Sequence, residues 1–356
     1  MRRFTRRAGI VGGASLIATT SDVRADEAVT PITLRDLADA RGIRIGAAVA
    51  SRPLANELAY RDTLAREFSS VTCENVMKPS FVQATPGYFD FQASDAIVAF
   101  AAAHGMTVRG HTLVWHQQNP AWLERVAAVG ENPVGALREH IVGVVRHYRN
   151  DGPAPVPVWD VVNEALTDNG LLRDTLWSRA LGPKYVADAF RWAHEADPDA
   201  RLFYNDFGAE GMGRKANAVH TMLRDLLQDG VPIHGVGLQM HIGIGPRQSP
   251  DLGDLTANIA RLRALGLEVH VTEMDVKLQT GTGSDASRLA DQAQVYADVL
   301  STCLDAGITS VTLWGFTDAH SWIPGFTGKP DGALPFDANY EPKPAYHALS
   351  WVLAGE

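Results

Sequence analysis

The sequence predicts a single-domain α/β protein folded as an eight-stranded (β/α)8 TIM barrel. Short apolar runs rich in β-forming residues alternate with longer amphipathic runs, which is typical of βα units around a parallel sheet. Eight such runs occur, and no Ser-, Gly- or Pro-rich linker divides residues 31–356. Barrels of roughly 250 residues or more fold as one domain, so the length does not require two. A doubly wound open sheet is the main alternative.

The predicted strands are short and apolar, and polar or turn residues follow them. They are Ile43–Ala50, Ser70–Glu74, Thr107–Val114, Val158–Asn163, Arg201–Asn205, Gly235–His241, Glu268–Glu273 and Ser310–Gly315. Helical periodicity predicts helices between them at Ser94–Ala103, Lys215–Gln228, Asp254–Leu265 and Ser287–Asp305. We expect Ser94 to be the N-cap of the first helix and Gly266 to end the third.

Residues 1–25 are expected to be an export signal, and residues 26–356 to form the barrel. Arginines precede a weakly apolar run that is too short for a membrane helix, and Val23-Arg24-Ala25 has the spacing of a cleavage site. The run from Thr5 through Arg6-Arg7 fits a twin-arginine signal. A disordered basic tail is the alternative. We therefore expect a protein that is secreted or periplasmic.

The charge balance argues against nucleic acid as a partner. The chain has 32 Lys and Arg, 41 Asp and Glu, and a net charge of −9. Removing residues 1–25 takes away five arginines and one aspartate, which leaves 27 basic and 40 acidic residues and a charge near −13. Such an acidic surface repels the phosphate backbone of a nucleic acid, whereas it does not repel a neutral polysaccharide. We also expect no membrane partner, a monomer, and free thiols at Cys73 and Cys303.

Two glutamates lie at the ends of predicted strands. Glu164 follows the fourth strand and Glu273 ends the seventh. The C-terminal strand ends of a parallel barrel share one face, where catalytic groups lie. A buried carboxylate is costly unless it is paired or used. Glycoside cleavage uses two, because one protonates the leaving oxygen and the other attacks the anomeric carbon or activates water. A structural salt bridge is the alternative for either glutamate alone.

Several tryptophans just past strand ends support a sugar cleft on this face, because indole faces stack well on pyranose rings. They are Trp115, Trp122, Trp314 and Trp322. Other chemistries lack their motifs, since the chain has no H-E-x-x-H helix, no phosphate-binding G-x-x-x-x-G-K-[ST] loop and no G-x-S-x-G elbow. We expect neither a metal nor a cofactor.

These strand ends resemble glycoside hydrolase family 10, the (β/α)8 endo-1,4-β-xylanases, from about Leu34 to the C-terminus. The motifs appear in the order typical of the family. They are Glu74-Asn75-Val76-Met77-Lys78, Gly110-His111-Thr112-Leu113-Val114-Trp115-His116, Trp159-Asp160-Val161-Val162-Asn163-Glu164, Tyr204-Asn205-Asp206, Gln239-Met240-His241, Val271-Thr272-Glu273-Met274-Asp275, and Trp314-Gly315-Phe316-Thr317-Asp318 through Ser321-Trp322.

The resemblance implies a retaining xylanase acting through a covalent glycosyl-enzyme, with xylan and xylo-oligosaccharides as partners. It implies that Glu164 is the acid/base and Glu273 the nucleophile. Asn163 would hold the sugar 2-hydroxyl, Gln239 and His241 would contact Glu164 and Glu273 respectively, and Asp275 would orient His241. The residues implied on the glycone side of the cleft are Glu74, Asn75, Lys78, His111, Trp115, Gln118, Trp314 and Trp322.

The sequence departs from the family pattern at Cys73, Pro79, His320 and Phe207-Gly208, and the last of these leaves aglycone binding open. Two alternatives stay open beside the xylanase. One is a related barrel acting on β-glucan. The bulk of Trp314 and Trp322 argues against it, because these side chains would crowd the C5 hydroxymethyl group of a glucose unit, which xylose lacks. The other is an inactive sugar-binding barrel, which would be marked by loss of a catalytic glutamate.

Overall fold

The computed structural model describes residues 32–128 and 133–355. The expected export signal, residues 1–25, lies outside them. From Thr33 onward the chain is one compact unit. Its strands are β1 (Arg44–Val49), β2 (Ser70–Cys73), β3 (Thr107–Val114), β4 (Val158–Asn163), β5 (Arg201–Asp206), β6 (Gly235–Leu238), β7 (His241–Gly243), β8 (Glu268–Lys277) and β9 (Ser310–Leu313).

Helices follow the strands and surround them. They are α1 (Leu34–Asp39), α2 (Ser51–Asn56), α3 (Leu58–Glu67), α4 (Pro79–Val82), α5 (Gln92–Ala103), α6 (Ala121–Ala128), α7 (Val134–Arg146), α8 (Leu176–Leu181), α9 (Tyr185–Ala196), α10 (Arg214–Gln228), α11 (Leu252–Ala264), α12 (Asp285–Asp305), α13 (Ile323–Thr327) and α14 (Pro344–Ala354). A π-helical turn extends α7 over His147–Asp151, and 3₁₀ turns cover Gly182–Lys184 and Asp318–His320. None of the described helices is long and apolar enough to cross a membrane.

The strands close into a parallel barrel, which confirms the predicted fold and excludes the open sheet. The hydrogen-bonded order runs from β1 to β6, continues through β8 and β9, and returns to β1. The closing pair aligns Arg44 with Ser310, and β6 aligns Gly235 with Glu268. Because every pairing in this ring is parallel, the C-terminal ends of all eight barrel strands open on one face.

Most predicted strands end within a residue or two of the observed ones, but the sixth is divided. Barrel strand β6 stops at Leu238, and Met240 adopts a left-handed backbone with φ of 67°. The chain then forms β7, which pairs with the outer part of β8. Strand β8 continues four residues past Glu273, beyond its predicted end, and so provides this second pairing.

One predicted helix cap is wrong. Helix α5 begins at Gln92, so Ser94 lies inside its first turn and donates to Phe91 O at 3.1 Å instead of capping the helix. The other three predicted helices begin one or two residues earlier than expected, and Gly266 with φ of 85° follows the end of α11 as predicted. The cap of α11 is Asp251, whose side chain accepts a hydrogen bond from Asp254 N.

The barrel interior is filled by side chains rather than forming a channel. The Arg109 guanidinium lies 4.6 Å from the centre of the Phe203 ring, and the Phe203 and His270 rings lie 4.5 Å apart. Arg109 Nε donates to both carboxylate oxygens of Asp160, at 3.1 and 3.0 Å. This buried ion pair lies one layer below the strand ends that carry the polar motifs.

The two cysteines are free and buried, in agreement with the expected thiols. Burial raises the pKa of Cys73 and raises the pKa of Cys303 to about 12. Both side chains therefore stay as neutral thiols at neutral pH, where they pack as small apolar groups.

Candidate active site

The structure brings Glu164 and Glu273 together at the C-terminal face of the barrel. Glu164 directly follows β4, and Glu273 lies in β8 at the level where the barrel opens. Their side chains are largely buried, with 8% and 4% of their surface exposed. Buried carboxylates need partners. The neighbouring residues supply them.

A chain of side-chain amides connects the two carboxylates. Asn205 Nδ2 donates to Glu273 Oε1 at 2.6 Å and to Asn163 Oδ1 at 2.9 Å. Gln239 Nε2 donates to the same Asn163 oxygen and to Glu164 Oε1, both at 3.1 Å. The amides fix one oxygen of each carboxylate and hold Asn163 between them.

The second oxygen of Glu273 belongs to a relay formed by Glu273, His241 and Asp275. His241 Nε2 lies 3.1 Å from Glu273 Oε2, and its Nδ1 lies 2.8 Å from Asp275 Oδ2. Trp322 Nε1 donates to the same aspartate oxygen at 2.8 Å. The imidazole therefore joins the carboxylate in the cleft to a fully buried aspartate beneath it.

Electrostatics in this relay favours charged forms. Burial opposes the charge on His241, but Asp275 and the hydrogen bonds to Asp275 and Glu273 raise the pKa of His241 to about 10. Burial also opposes ionisation of Glu273. The hydrogen bond from His241, together with the charges of His111 and His241, nevertheless holds the pKa of Glu273 below its usual value. At neutral pH Glu273 is therefore a carboxylate beside an imidazolium.

The second oxygen of Glu164 is held more loosely. His116 Nδ1 lies 3.7 Å from Oε2, beyond hydrogen-bond distance. Burial keeps the pKa of His116 below its usual value although Glu164 opposes this, so the imidazole is neutral. Oε2 is thus left available to a ligand in the cleft.

The glycone-side residues implied by the resemblance form one cluster. Asn75 Oδ1 accepts from Lys78 Nζ at 3.0 Å and from Gln118 Nε2 at 3.2 Å, and Asn75 Nδ2 donates to Glu74 Oε1 at 3.2 Å. Lys78 Nζ lies 4.7 Å from the centre of the Trp115 ring. Burial lowers the pKa of Lys78, but Glu273, Glu74 and Glu164 all favour its charge.

Trp314 and His111 connect this cluster to Glu273. Lys78 Nζ lies 5.9 Å from the Trp314 ring, and the His111 and Trp314 rings meet edge to face at 5.1 Å. His111 Nδ1 lies 3.0 Å from Asp160 Oδ2 and 4.0 Å from Glu273 Oε1. All fourteen site residues implied by the resemblance therefore lie in one continuous network.

Trp122 differs from the other three tryptophans assigned to the cleft. It lies in α6, packs against the apolar core and donates from Nε1 to Gln83 O at 2.9 Å. Its position after a strand end reflects packing under a loop. The sequence-based assignment of a sugar-facing role to Trp122 is therefore unsupported.

Two contacts at the site involve residues to which the motifs assign no role. Asn205 bridges Asn163 and Glu273. His116 Nδ1 lies 3.7 Å from Glu164 Oε2. The available signal was position, because Asn205 lies at the C-terminal end of β5 and His116 follows β3.

The site is built from carboxylate, amide, imidazole and indole groups and the ammonium of Lys78. Within residues 32–128 and 133–355, no group of three or more His, Cys, Asp or Glu side chains has an arrangement that could hold a metal ion. The chemistry the described residues offer is proton transfer and nucleophilic attack by largely buried carboxylates.

Comparison of the sequence with known proteins identifies its family. The profile of Glycosyl hydrolase family 10 matches residues 33–351. The chain is 40% identical over 321 residues to endo-1,4-beta-xylanase B of Thermotoga neapolitana, which covers 89% of this chain and 90% of the relative. It is 37% identical over 334 residues to endo-1,4-beta-xylanase B of Paenibacillus barcinonensis, covering 89% and 96%.

Solved structures show the same fold. Xylanase 10B from Thermotoga petrophila, crystallised with xylobiose, superposes with a TM-score of 0.83 at 39% identity, covering 92% of this chain and 98% of that one. A glycosylated endo-beta-1,4-xylanase from Gloeophyllum trabeum also gives 0.83, at 34% identity, covering 91% and 100%. Sequence and fold agree, and the chain belongs to glycosyl hydrolase family 10.

Proposed function

We propose that this protein is a retaining endo-1,4-β-xylanase that cleaves the backbone of xylan and xylo-oligosaccharides by double displacement. The observation that carries the proposal is the unequal environment of the two glutamates. Glu273 has a hydrogen-bond donor on each oxygen and a lowered pKa. Glu164 keeps one oxygen free of short contacts. The first suits a nucleophile that must stay ionised, and the second suits an acid that must reach a substrate oxygen.

In the first step, Glu273 attacks the anomeric carbon while Glu164 gives its proton to the glycosidic oxygen. The carbon–oxygen bond breaks, the shortened chain leaves as an alcohol, and a glycosyl ester forms on Glu273. In the second step, Glu164 takes a proton from water, which attacks the same carbon and releases Glu273. Asn163, fixed by Asn205 and Gln239, would bind the sugar 2-hydroxyl in both steps.

Sugar selection is assigned to the tryptophan walls. Trp322 is anchored to Asp275, and Trp314 lies against His111. A glucose unit would have to fit its C5 hydroxymethyl group against these fixed indoles, whereas a xylose unit has none. Wild-type protein should therefore hydrolyse xylan at least roughly tenfold faster than carboxymethyl cellulose, about 1.4 kcal/mol of transition-state binding. Equal rates would favour a β-glucanase.

Azide tests the roles of the two glutamates with an aryl xylobioside that carries a good leaving group. In Glu164→Ala the glycosyl-enzyme should still form, and azide should release it as the β-glycosyl azide. In Glu273→Ala no covalent intermediate can form, so azide should attack directly and give the α-azide. If the two variants gave the opposite anomers, the roles of Glu164 and Glu273 would have to be exchanged.

A single chain supplies every residue in this scheme, so we propose that the monomer is the active form. We also propose that residues 1–25 direct export through a twin-arginine pathway, on the evidence of Arg6-Arg7 and the following apolar run. Changing both arginines to lysine should retain the protein in the cytoplasm. Unchanged export of that variant would point to another route.

A further inference from the structure

Glu164 has an unusual backbone conformation for a residue in its position. Its φ is 57°, in the left-handed region that residues other than glycine rarely adopt. Such a conformation persists where the surrounding structure fixes it, and it clusters at functional sites. The contacts that hold the backbone at Glu164 therefore bear on where its carboxyl group points.

The backbone around Glu164 is held on both sides. Glu164 N donates to Asn205 O at 2.8 Å, and Glu164 O accepts from Arg173 Nε at 3.1 Å. The other donor group of Arg173 reaches Leu166 O, also at 3.1 Å, and Arg173 N donates to Ala165 O at 2.8 Å. Arg173 thus donates hydrogen bonds to three successive carbonyl oxygens after β4.

The next peptide N–H is held by a buried tyrosine. Ala165 N donates to Tyr204 Oη at 3.1 Å. The hydroxyl can accept in this direction because its own hydrogen is directed to Asp206 Oδ2, at 2.5 Å. Asp206 Oδ1 is in turn paired with Lys215 Nζ at 2.7 Å. Tyr204 and Asp206 are fully buried and Lys215 is 4% exposed, so these contacts are shielded from solvent.

We propose that Arg173 and Tyr204 are positioning residues for the acid/base, with Asp206 and Lys215 fixing the tyrosine hydroxyl. These four residues are called the Glu164 clamp below. By holding the left-handed backbone at Glu164, the clamp keeps its carboxyl group on the glycosidic oxygen. This proposal rests on the proposed role of Glu164.

A positioning role for the clamp predicts a dependence on the leaving group that a purely structural role does not predict. The hydrogen bonds of the clamp described above do not reach the Glu273 carboxylate, which is held by Asn205 and His241. Loosening the clamp should therefore impair proton donation and leave nucleophilic attack nearly intact. The loss should depend on how much protonation the leaving group needs.

The test compares Tyr204→Phe and Arg173→Lys with wild type on two aryl xylobiosides. The phenyl compound needs general-acid help, and the 2,4-dinitrophenyl compound needs almost none. We expect kcat/KM on the phenyl compound to fall about 10- to 100-fold, and on the dinitrophenyl compound less than about 3-fold. Tyr204→Phe should also slow release of the glycosyl-enzyme, and azide should restore it.

Tyr148→Phe is the matched control. Tyr148 is also buried, and its hydroxyl donates to Ser94 Oγ at 2.7 Å, outside the clamp. It should lower the melting temperature to a similar extent without changing the ratio of the two substrates. Arg173 lies in a partly exposed loop, so its variant remains informative if Tyr204→Phe folds poorly.

Equal losses on both substrates in Tyr204→Phe and Arg173→Lys would overturn the clamp and leave the xylanase proposal standing. Failure of the wild type to hydrolyse either xylobioside would overturn the proposed function and the clamp with it. A steeper dependence on the leaving group in the clamp variants alone would support both.

Discussion

At the scale of single residues, the charge of Glu273 depends on Asp275, which never touches the cleft directly. Asp275 holds His241 Nδ1 at 2.8 Å and helps to raise the pKa of His241 to about 10 against the effect of burial. The charged imidazole then donates to Glu273 and lowers the pKa of that carboxyl group. A neutral partner at position 275 should change both pKa values.

Asp275→Asn should therefore shift the acidic limb of the kcat/KM profile to higher pH, because Glu273 would lose the neighbouring positive charge. We expect kcat/KM at the optimum to fall by about 10- to 100-fold, which corresponds to about 1.4–2.7 kcal/mol of transition-state stabilisation. The measurements are the pH–rate profile and an NMR titration of His241. Asp331→Asn is the control, since Asp331 accepts from the backbone of Leu278 and Gln279 instead. An unchanged acidic limb in Asp275→Asn would contradict the relay.

The same pKa has a consequence for stability. Because the folded-state pKa of His241 is raised from 6.5 to about 10, its stabilisation is fully present below pH 6.5 and is lost as the pH rises through 10. The wild type should lose stability over this window. Asp275→Asn should lose less, as urea titrations at several pH values would reveal.

The sequence predicts the side chains that face the cleft better than the side chains that hold the backbone beneath it. Glu164, His241 and Trp314 each follow or end an apolar strand, so the barrel fold alone predicts their common face. Arg173 and Tyr204 act on backbone carbonyl and amide groups. No alternation or spacing reveals such contacts, because they depend on the turn that the chain makes after β4.

At the scale of elements, β6 has a glycine, Gly237, where side chains of the neighbouring strands occupy the space that a Cβ would take. An added Cβ at Gly237 would lie 2.1 Å from Asn205 Oδ1 and 2.7 Å from Thr272 Cγ2. Asn205 is also the residue that donates to Glu273. A glycine at this point of β6 thus lets β5 present its amide to the nucleophile.

Gly237→Ala should consequently affect stability and activity together. We expect the free energy of unfolding to fall by about 1–3 kcal/mol through overpacking, and kcat/KM to fall as Asn205 moves. Urea denaturation and xylan hydrolysis measure the two effects. Gly135→Ala is the control, because Gly135 lies in α7 with open space around its Cβ position, and alanine there should be neutral or slightly stabilising. Full activity of Gly237→Ala would contradict the packing argument.

The division of the sixth predicted strand has a local cause that the sequence pattern does not carry. The apolar run Gly235–His241 reads as one strand, but the left-handed φ of Met240 turns the chain after Leu238. The turn aims Gln239 and His241 at different carboxylates. Strand periodicity predicts that the element exists, but it does not reveal the left-handed residue that divides it.

At the scale of the whole molecule, the first and last helices are tied together through Glu67 in α3. Its Oε2 accepts from Leu34 N in α1 at 3.1 Å and from Tyr346 Oη in α14 at 3.0 Å. Glu67 is 3% exposed. One buried carboxylate therefore supports the place where the barrel closes between β1 and β9.

Glu67→Ala should lower the free energy of unfolding by about 2–4 kcal/mol, because the buried Leu34 N–H and the half-buried Tyr346 hydroxyl lose their acceptor. Glu195→Ala provides the comparison, since the Arg138–Glu195 pair is half-exposed and should contribute less than about 1 kcal/mol. Thermal and urea unfolding measure both, and activity of the folded variants should stay near wild type. A loss in Glu67→Ala no larger than that in Glu195→Ala would count against this account of closure.

The ends of the barrel unit also meet directly. Arg41 Nη1, just before β1, donates to Val352 O near the end of α14 at 2.7 Å. This contact lies beside the N-terminal strand ends, whereas the cleft opens at the C-terminal ends. The ring of strands consequently has no required starting point. A circular permutant, with a short linker joining the ends beneath the barrel and new termini at the exposed Asp229-Gly230 turn, would keep every catalytic side chain in its present place.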